Sequence, residues 1–465
     1  MSIWNIKRAE SAEVSPVPEA AGAALASLQP AADVGQSAET ERQLALKVRI
    51  HQQLLERVNL ALLDKLGPDQ VRDEVGTIIM DLLAEDGEVL NRTERSALSS
   101  DILDELLGLG PLEPLLKDET VTDILVNGYK TVFVERRGLL ERTSTRFQDE
   151  RHLQRIIQKI VSSVGRRVDE SSPFVDARLA DGSRFNAIIA PLAIDGSLVS
   201  IRKFSKKPIS MARMIELGSI PPQVADIMRA IVGARLNVII SGGTGSGKTT
   251  MLNAMSSFID ERERIVTIED SAELQLQQEH VARLETRPPN IEGRGEVNQR
   301  DLVKNALRMR PDRIILGECR AGEAFDMLQA MNTGHDGSMT TVHANTPRDA
   351  LSRIEQMIGM SGIDISPRSA RAQIASAVNV VIQIARLSDG KRKLVSLSEV
   401  TGMEGETITM QEIYRFHMTG RDQAGNVLGQ FEAAGIRPKF ATELAAHGIE
   451  MSAELFRPGA RIETQ

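Results

Sequence analysis

The chain has 465 residues, of which 41% are hydrophobic, 26% charged and 3% aromatic, and its formal net charge is -8 at pH 7. The composition is typical of a globular protein. Because the chain is longer than a typical single domain, we expect several domains. The acidic balance argues against a nucleic-acid partner, since phosphate backbones attract basic surfaces. The scarcity of aromatic rings also leaves little surface on which bases could stack.

The chain contains one cysteine, Cys319. A single thiol excludes an internal disulfide and a four-cysteine zinc site, and it is typical of a reducing compartment. The start of the sequence has no apolar run of the kind found in signal peptides, and no segment approaches the roughly 18 apolar residues that a membrane span needs. The sequence therefore predicts a cytoplasmic protein without direct membrane insertion, in which any work at a membrane is done through partners.

The first half of the chain contains three regions of different composition. Residues 1–39 are rich in Ala, Pro, Ser and Glu without periodicity, which predicts a disordered arm. Over residues 40–108 apolar residues recur at helical spacing, which predicts a helical module. Residues 109–205 predict an α+β domain. We expect helices over residues 70–83, 92–107 and 149–164, and strands over residues 121–126, 132–135, 174–179, 184–189 and 198–204.

The second half begins with a connector over residues 206–222. After it, an apolar strand, a glycine-rich turn, a helix and another strand follow one another, which is typical of a doubly wound parallel sheet. The sequence therefore predicts an α/β domain over residues 223–400. Residues 401–465 are polar and contain glycines, and they are assigned to a C-terminal tail.

The most specific motif is a phosphate-binding loop that follows an apolar strand over residues 237–240. Residues 242–249 match the P-loop (Walker A) pattern. Its glycines let successive backbone N–H groups point at anionic oxygens at a helix N-terminus. Lys248 can reach the β- and γ-phosphates, and the Thr249 hydroxyl can ligate Mg²⁺. The expected ligands are therefore ATP and Mg²⁺, and the binding residues are Gly242, Gly243, Thr244, Gly245, Ser246, Gly247, Lys248, Thr249 and Thr250.

Two further apolar strands end in acidic residues. One leads into Glu269, Asp270 and then Glu273, and the other ends in Glu318. The carboxyl ends of parallel strands face the crevice where ligands bind, so these carboxylates are candidates for holding the metal and orienting water. The structural alternatives are that Glu269 and Asp270 cap the next helix and that Glu318 pairs with Arg320.

Four motifs in this order resemble the secretion ATPases of type II, type IV pilus and type IV secretion systems. They are Walker A, the Asp box over residues 268–273, Walker B over residues 316–318 and the His box over residues 333–344. The resemblance implies a hexameric ring with an α/β, RecA-like P-loop ATPase core and a PAS-like N-terminal domain. It implies that Glu273 activates the attacking water and that Glu318 assists Mg²⁺.

The resemblance also implies roles for two histidines and two arginines. His335 and His343 would couple the γ-phosphate region to a neighbouring surface; as metal ligands they lack a nearby third ligand. The family places two arginines of the N-terminal domain on the phosphates, and the matching strands carry Arg184 and Arg202, with Arg178 as a further candidate. These guanidinium groups would stabilise charge in the transition state. The alternative is that they form salt bridges inside their own domain.

Residues 110–116, 121–128 and 344–348 resemble the CpaF-type ATPases of Tad (Flp) pili, and the likeness extends from about residue 40 to residue 400. It implies a motor that powers pilus assembly, acts as a homo-hexamer and binds inner-membrane pilus platform proteins. One alternative is a type IV secretion ATPase for protein or DNA export. Another is a nucleotide-gated assembly factor that binds ATP without turnover.

Overall fold

The computed structural model describes residues 46–47, 49–50, 53–54, 57, 68–87, 90–136, 138–204, 208–289, 293–458 and 461–463. The predicted disordered arm over residues 1–39 lies outside these ranges. The chain divides into two compact units between Glu113 and Pro114. Every helix within the described ranges is too short or too polar to span a bilayer.

The first unit contains helices α1 (Pro68–Glu85) and α2 (Arg92–Leu106), which match the two helices predicted there. Helix α2 begins with a capping box, because the Asn91 side chain accepts the Glu94 N–H and the Glu94 carboxylate accepts the Asn91 N–H. Both amides would otherwise lack a partner at the start of a helix. The two helices share one buried apolar cluster with Leu46, Ile50 and Leu54.

The second unit begins with an antiparallel sheet of six strands in the order β3-β2-β1-β6-β5-β4. A 3-10 turn (Gly110–Leu112) and the short helix α3 (Glu113–Lys117) precede it, and helix α4 (Glu150–Ser163) connects β3 to β4. Five strands and α4 were predicted, whereas β3 was not. The strands are β1 (Val121–Asn127), β2 (Val132–Arg136), β3 (Leu139–Arg142), β4 (Phe174–Arg178), β5 (Arg184–Ile188) and β6 (Leu198–Arg202).

A second sheet of ten strands follows, in the order β16-β15-β14-β13-β12-β7-β11-β10-β8-β9. Six consecutive strands of the sheet run parallel to one another, namely β12, β7, β11, β10, β8 and β9. The remaining strands pair antiparallel. The strands are β7 (Val238–Gly242), β8 (Ile265–Glu269), β9 (Val281–Glu285), β10 (Arg313–Cys319), β11 (Met339–Val342), β12 (Val380–Arg386), β13 (Arg392–Glu404), β14 (Thr407–Arg421), β15 (Val427–Ala433) and β16 (Arg461–Glu463).

Both faces of the parallel region are buried. Successive residues of β7 alternate between two apolar clusters, with Val238 and Ile240 in one and Ile239 in the other. This is the pattern of a parallel sheet covered by helices on both sides, and it confirms the predicted α/β class. The helices are α5 (Met211–Glu216), α6 (Pro222–Gly233), α7 (Lys248–Ser256), α8 (Gln299–Ala306), α9 (Glu323–Asn332), α10 (Pro347–Gly359), α11 (Pro367–Ala377) and α12 (Phe440–Ala446).

The predicted boundary between the ATPase domain and a tail at residue 400 needs correction, because it falls inside β13. The polar residues after it form long antiparallel strands that continue the sheet. Side chains of β14 are mostly half-buried or exposed, which explains the polar composition. Gly405 has a φ of 62° in the turn between β13 and β14. This glycine therefore belongs to a hairpin turn and not to an unstructured tail.

A buried ion pair at the start of β10 gives a prediction about stability. Arg313 is 1% exposed, and its Nε and Nη2 donate to the two Glu263 carboxylate oxygens at 2.7 Å each. Arg313→Ala should lower the free energy of unfolding by about 3 kcal/mol, because it leaves a partly buried carboxylate with fewer donors. Urea denaturation followed by circular dichroism measures the loss.

Arg229→Ala is the matched control, since Arg229 pairs with Asp226 on an exposed helix surface where both side chains are 65% exposed. Exposed pairs of this kind contribute about 0–1 kcal/mol. Equal losses in the two variants would contradict the prediction.

Candidate nucleotide-binding site

The phosphate loop connects β7 to α7, and its glycines are required by the backbone. Gly245 and Gly247 have φ values of 68° and 96°, a left-handed region that other residues rarely adopt. A β-carbon at Gly242 would lie 2.5 Å from the carbonyl oxygen of Ile384 on the neighbouring strand β12. The backbone conformation of the loop therefore depends on glycine at these three positions.

Lys248 is the first residue of α7, and its ammonium lies over the loop. Its Nζ donates to the Gly243 carbonyl at 3.0 Å and lies 3.1 Å from His343 Nε2. Burial lowers the pKa of Lys248, and the charge of Glu318 opposes that shift. A partly desolvated cation in this position would be stabilised by an anionic ligand.

Two side chains beside Lys248 come from the ends of β10 and β11, namely Glu318 and His343. Glu318 Oε1 lies 3.1 Å from His343 Nε2, and Glu318 Oε2 accepts a hydrogen bond from Arg320 at 2.8 Å. Burial and the charge of Lys248 lower the pKa of His343, which favours the neutral ring. A neutral ring that donates its Nε2–H to Glu318 has Nδ1, 3.4 Å from Lys248 Nζ, as its acceptor. Glu318 therefore lies at the predicted site beside Thr249. It also forms the alternative ion pair with Arg320.

The acidic residues after β8 differ in environment. Glu269 is 3% exposed and accepts hydrogen bonds from the N–H groups of Glu273 and Leu274. Burial raises its pKa. The structure therefore gives Glu269 a role in holding the segment that carries Glu273, rather than in capping a helix. The Glu273 carboxylate itself is partly exposed and accepts a hydrogen bond from Arg184 at 2.8 Å.

Three arginines form one row across the six-stranded sheet. The strand register places Arg178 opposite Arg184, Arg184 opposite Arg202, and Arg202 opposite Asp123. Residues directly opposite one another project from the same face, and like charges there are destabilising. A row of three arginines therefore indicates a face that meets anionic groups outside its own sheet.

Arg184 and Arg202 reach a cavity of about 200 Å³ that Thr249, Thr250 and Glu273 also line. Arg178 does not line this cavity; it pairs with Glu285 and donates to the Ala272 carbonyl. The structure therefore brings both predicted arginines to the same space as the phosphate loop. The alternative, that these arginines form salt bridges inside their own domain, holds for one of them, because Arg202 pairs with Asp123 of the same sheet.

The residues around Thr249 suit Mg²⁺. Thr249, Glu273 and Glu318 all line a smaller cavity of about 40 Å³, and hydroxyl and carboxylate oxygens are the protein ligands that this ion prefers. Mg²⁺ usually retains several waters and binds substrate phosphates, so one or two protein oxygens suffice. In the described part of the chain, no group of three or more His, Cys, Asp or Glu side chains is arranged to hold a metal.

The two histidines of the His box lie at opposite ends of β11. Met339 pairs with Val238 at the start of β7, and Val342 pairs with Ser241 at its end. His343 therefore follows the strand beside the phosphate loop, whereas His335 precedes it. A four-residue strand rises roughly 13 Å, so the structure does not bring His335 to the phosphate loop, and its role remains a prediction.

Sequence analysis missed Asn253, Arg386 and Arg392. Asn253 lies four residues after Thr249 on α7, lines the cavity of about 200 Å³ and accepts the Gln275 N–H at 2.8 Å. Helical spacing from Thr249 was a signal that could have identified it. Arg392 Nε donates to the Gly245 carbonyl at 2.9 Å. No motif indicated the two arginines, because only the pairing of β12 with β7 brings them to the loop.

The strand, glycine loop and helix, with Lys248 over the loop, define a P-loop protein of mixed α/β fold. Residues 105–429 match the family of type II/IV secretion system proteins, and residues 43–107 match the N-terminal domain of type II secretion system protein E. The chain belongs to the family of type II/IV secretion system proteins.

Several relatives share most of their length with this chain. A putative conjugal transfer protein of Mycobacterium tuberculosis is 39% identical over 323 residues, covering 68% of this chain and 91% of that protein. The type IV secretion system protein VirB11 of Bartonella henselae is 31% identical, covering 63% of this chain and 92% of that protein. The crystal structure of the VirB11 ATPase of Brucella suis, in complex with sulphate, is 27% identical and covers 62% of this chain and 91% of that chain, with a TM-score of 0.34.

Proposed function

We propose that the chain is an ATPase that converts ATP and water to ADP and phosphate and so powers Tad (Flp) pilus assembly. The observation that supports hydrolysis is the single space shared by the phosphate-loop helix, Glu273 and two arginines. Thr249 and Thr250 of α7 line one side of it, and Arg184 and Arg202 approach from the six-stranded sheet. Few uses other than the binding and transfer of a triphosphate would require these groups together.

Each residue has a role in the proposed reaction. Backbone N–H groups of residues 243–248 bind phosphate oxygens, and Lys248 balances their charge. Thr249 and Glu318 would hold Mg²⁺, which supplies charge neutralisation on the β- and γ-phosphates when bound. Glu273 accepts a proton from the attacking water as the bond from the γ-phosphorus to the bridging oxygen breaks. His343 links Lys248 to Glu318 and keeps both in place.

Arg184 and Arg202 stabilise the negative charge that spreads over the transferred phosphoryl group. An arginine in this role contributes a factor of about 10³–10⁵ in rate. Arg184 must exchange Glu273 for a phosphate oxygen when the nucleotide binds. That exchange frees the Glu273 carboxylate to face water, so binding and activation of the base are coupled.

The motor role extends this proposal from the site to the assembly. Family membership and the resemblance of residues 110–116 and 121–128 to CpaF-type ATPases support a cytoplasmic homo-hexamer. Inner-membrane pilus platform proteins would recruit it and convert its movements into pilin extraction. The helical module over residues 40–108 and the α+β domain over residues 109–205 are proposed as the parts that move.

A second candidate is a type IV secretion ATPase for protein or DNA export. Its support is specific, because a putative conjugal transfer protein and VirB11 are among the relatives at 39% and 31% identity. Against DNA handling stand the net charge of -8 and the 3% aromatic content, since DNA-stimulated enzymes need a basic contact surface.

The two candidates are separated in cells and in solution. Deleting the gene should remove surface pili seen by electron microscopy, and a plasmid-borne copy should restore them. Hydrolysis by the purified chain should not respond to added DNA at about 50 mM salt, where electrostatic contacts to phosphates are strong. Intact pili with lost plasmid transfer or protein export, or DNA-stimulated hydrolysis that falls steeply with salt, would instead support the second candidate.

A further inference from the structure

Two arginines that the proposed mechanism does not use lie beside the phosphate loop. Arg386 is the last residue of β12 and Arg392 is the first residue of β13, and the two are directly opposite each other. Strand β12 pairs with β7 so that Ile384 lies level with Gly242. Arg386 therefore stands two residues further along, at the level of the loop.

Both side chains lie beside the left-handed glycines of the loop. Arg392 Nε donates to the Gly245 carbonyl at 2.9 Å, and a β-carbon built on Gly247 would lie 3.3 Å from Arg392 Cδ. A β-carbon on Gly245 would lie 3.7 Å from Arg386 Nη1. The other terminal nitrogen of Arg386 donates to the Gly138 carbonyl in the turn before β3.

The charges of this pair are not balanced within the part of the chain that the structure describes. Neutral carbonyl groups accept the hydrogen bonds of both side chains, and among the described residues no carboxylate lies within salt-bridge distance of either. Both arginines are exposed. Like charges directly opposite on adjacent strands are destabilising, so this arrangement favours a ligand that brings negative charge to the pair.

The position of the pair identifies which part of a nucleotide it would meet. In the sheet, β11, β10 and β8 lie on one side of β7, and β12 and β13 lie on the other. Lys248 extends towards His343 and Glu318 at the ends of β11 and β10. The γ-phosphate and Mg²⁺ belong on that side, so a triphosphate along the loop directs its α-phosphate and ribose towards β12.

We propose that Arg386 binds the α-phosphate of the nucleotide and that Arg392 is a positioning residue that holds the loop and Arg386 in place. This inference rests on the proposed function, since it concerns the same nucleotide. It assigns the end of β12 and the start of β13 a share in nucleotide affinity. The chemistry on the other side of the loop, at Glu273 and Glu318, is left unchanged.

Arg386→Gln in the full-length chain tests the proposal. Calorimetric titration with Mg-ADP should give a Kd raised about tenfold, because a hydrogen bond between charged groups is lost. The KM for ATP should rise by a similar factor, while kcat should change by less than about twofold, because ground-state and transition-state binding weaken together. ADP and ATP respond alike because both carry the α-phosphate.

Lys391→Gln is the matched control for charge. Lys391 is exposed on the same β12–β13 turn, adjacent to Arg392 in sequence, and its removal should leave the Kd for ADP within about twofold. For the positioning role, Arg392→Gln should raise the Kd for ADP, and Arg392→Lys, which keeps a donor and a charge, should recover most of the affinity.

Four results would overturn the inference. These are an unchanged Kd for ADP in Arg386→Gln, an effect on ATP without one on ADP, an equal effect of Lys391→Gln, or a fall in melting temperature with nucleotide affinity unaltered. If the unsubstituted chain binds neither ADP nor ATP, the proposed function itself fails. The two failures are therefore distinguishable.

Discussion

Lys248→Ala should reduce kcat/KM for ATP hydrolysis by at least about 100-fold, which is about 2.7 kcal/mol of transition-state stabilisation. Its ammonium lies over the loop, partly buried, with the Gly243 carbonyl and His343 as its contacts. Burial lowers its pKa, which means that the charged form is under-solvated and gains more from a triphosphate than an exposed lysine would. Alanine removes that cation without filling its place.

Steady-state hydrolysis and nucleotide titration of the purified full-length chain measure this loss. Lys393→Met is the matched control, because burial lowers the pKa of Lys393 as well, and its Nζ donates to the Gly218 carbonyl. The control should cost stability but retain nucleotide binding. Turnover by Lys248→Ala near the unsubstituted rate would contradict the proposed site.

Glu273→Gln should lower kcat by about 10³-fold, within the range of 10²–10⁴ typical of general base catalysis, while ATP binding is retained. Glutamine has almost the same shape but cannot accept the proton of the attacking water. The substitution also replaces the charged partner of Arg184 with a neutral amide. Because Arg184 is then more easily released to a phosphate oxygen, the Kd for ATP should stay the same or fall.

Single-turnover hydrolysis separates this loss in the chemical step from any change in binding. Glu285→Gln is the control, because Glu285 pairs with Arg178 of the same arginine row but does not line the cavity with Thr249. It should keep kcat within about tenfold of the unsubstituted chain. If Glu273→Gln hydrolyses ATP at the normal rate, another group is the base. If the unsubstituted chain binds ATP without turnover, the nucleotide-gated assembly factor is supported.

Local sequence was sufficient for the elements that place the main site residues. The strand before Gly242, the loop and a helix after it were all predicted, because glycine spacing and apolar runs act over only a few residues. The same holds for the strands ending at Glu269 and Cys319. The carboxyl ends of neighbouring parallel strands meet at one edge, so those acidic residues could be expected near the loop.

The sequence was weaker where polar composition accompanies regular structure. Residues 401–465 were assigned to a tail, although β14 (Thr407–Arg421) and β15 (Val427–Ala433) extend the sheet. These strands bury only part of their side chains, and their backbone groups are satisfied by neighbouring strands rather than by local turns. Strands β13, β14 and β15 pair as hairpins with their neighbours in sequence, so the two turns were local signals that the polar composition obscured.

The sequence by itself determined that this chain has a phosphate loop, which carboxylates follow neighbouring strands, and which family it belongs to. The tertiary structure decided which of those groups meet. It joins Lys248 to Glu318 through His343, brings Arg184 to Glu273, and leaves His335 at the other end of β11. It also brings Arg386 to the loop from a strand more than 130 residues away in sequence, since Ile384 pairs with Gly242. The physical reason is that composition and spacing define single elements, whereas strand order and register define which ends of those elements lie together.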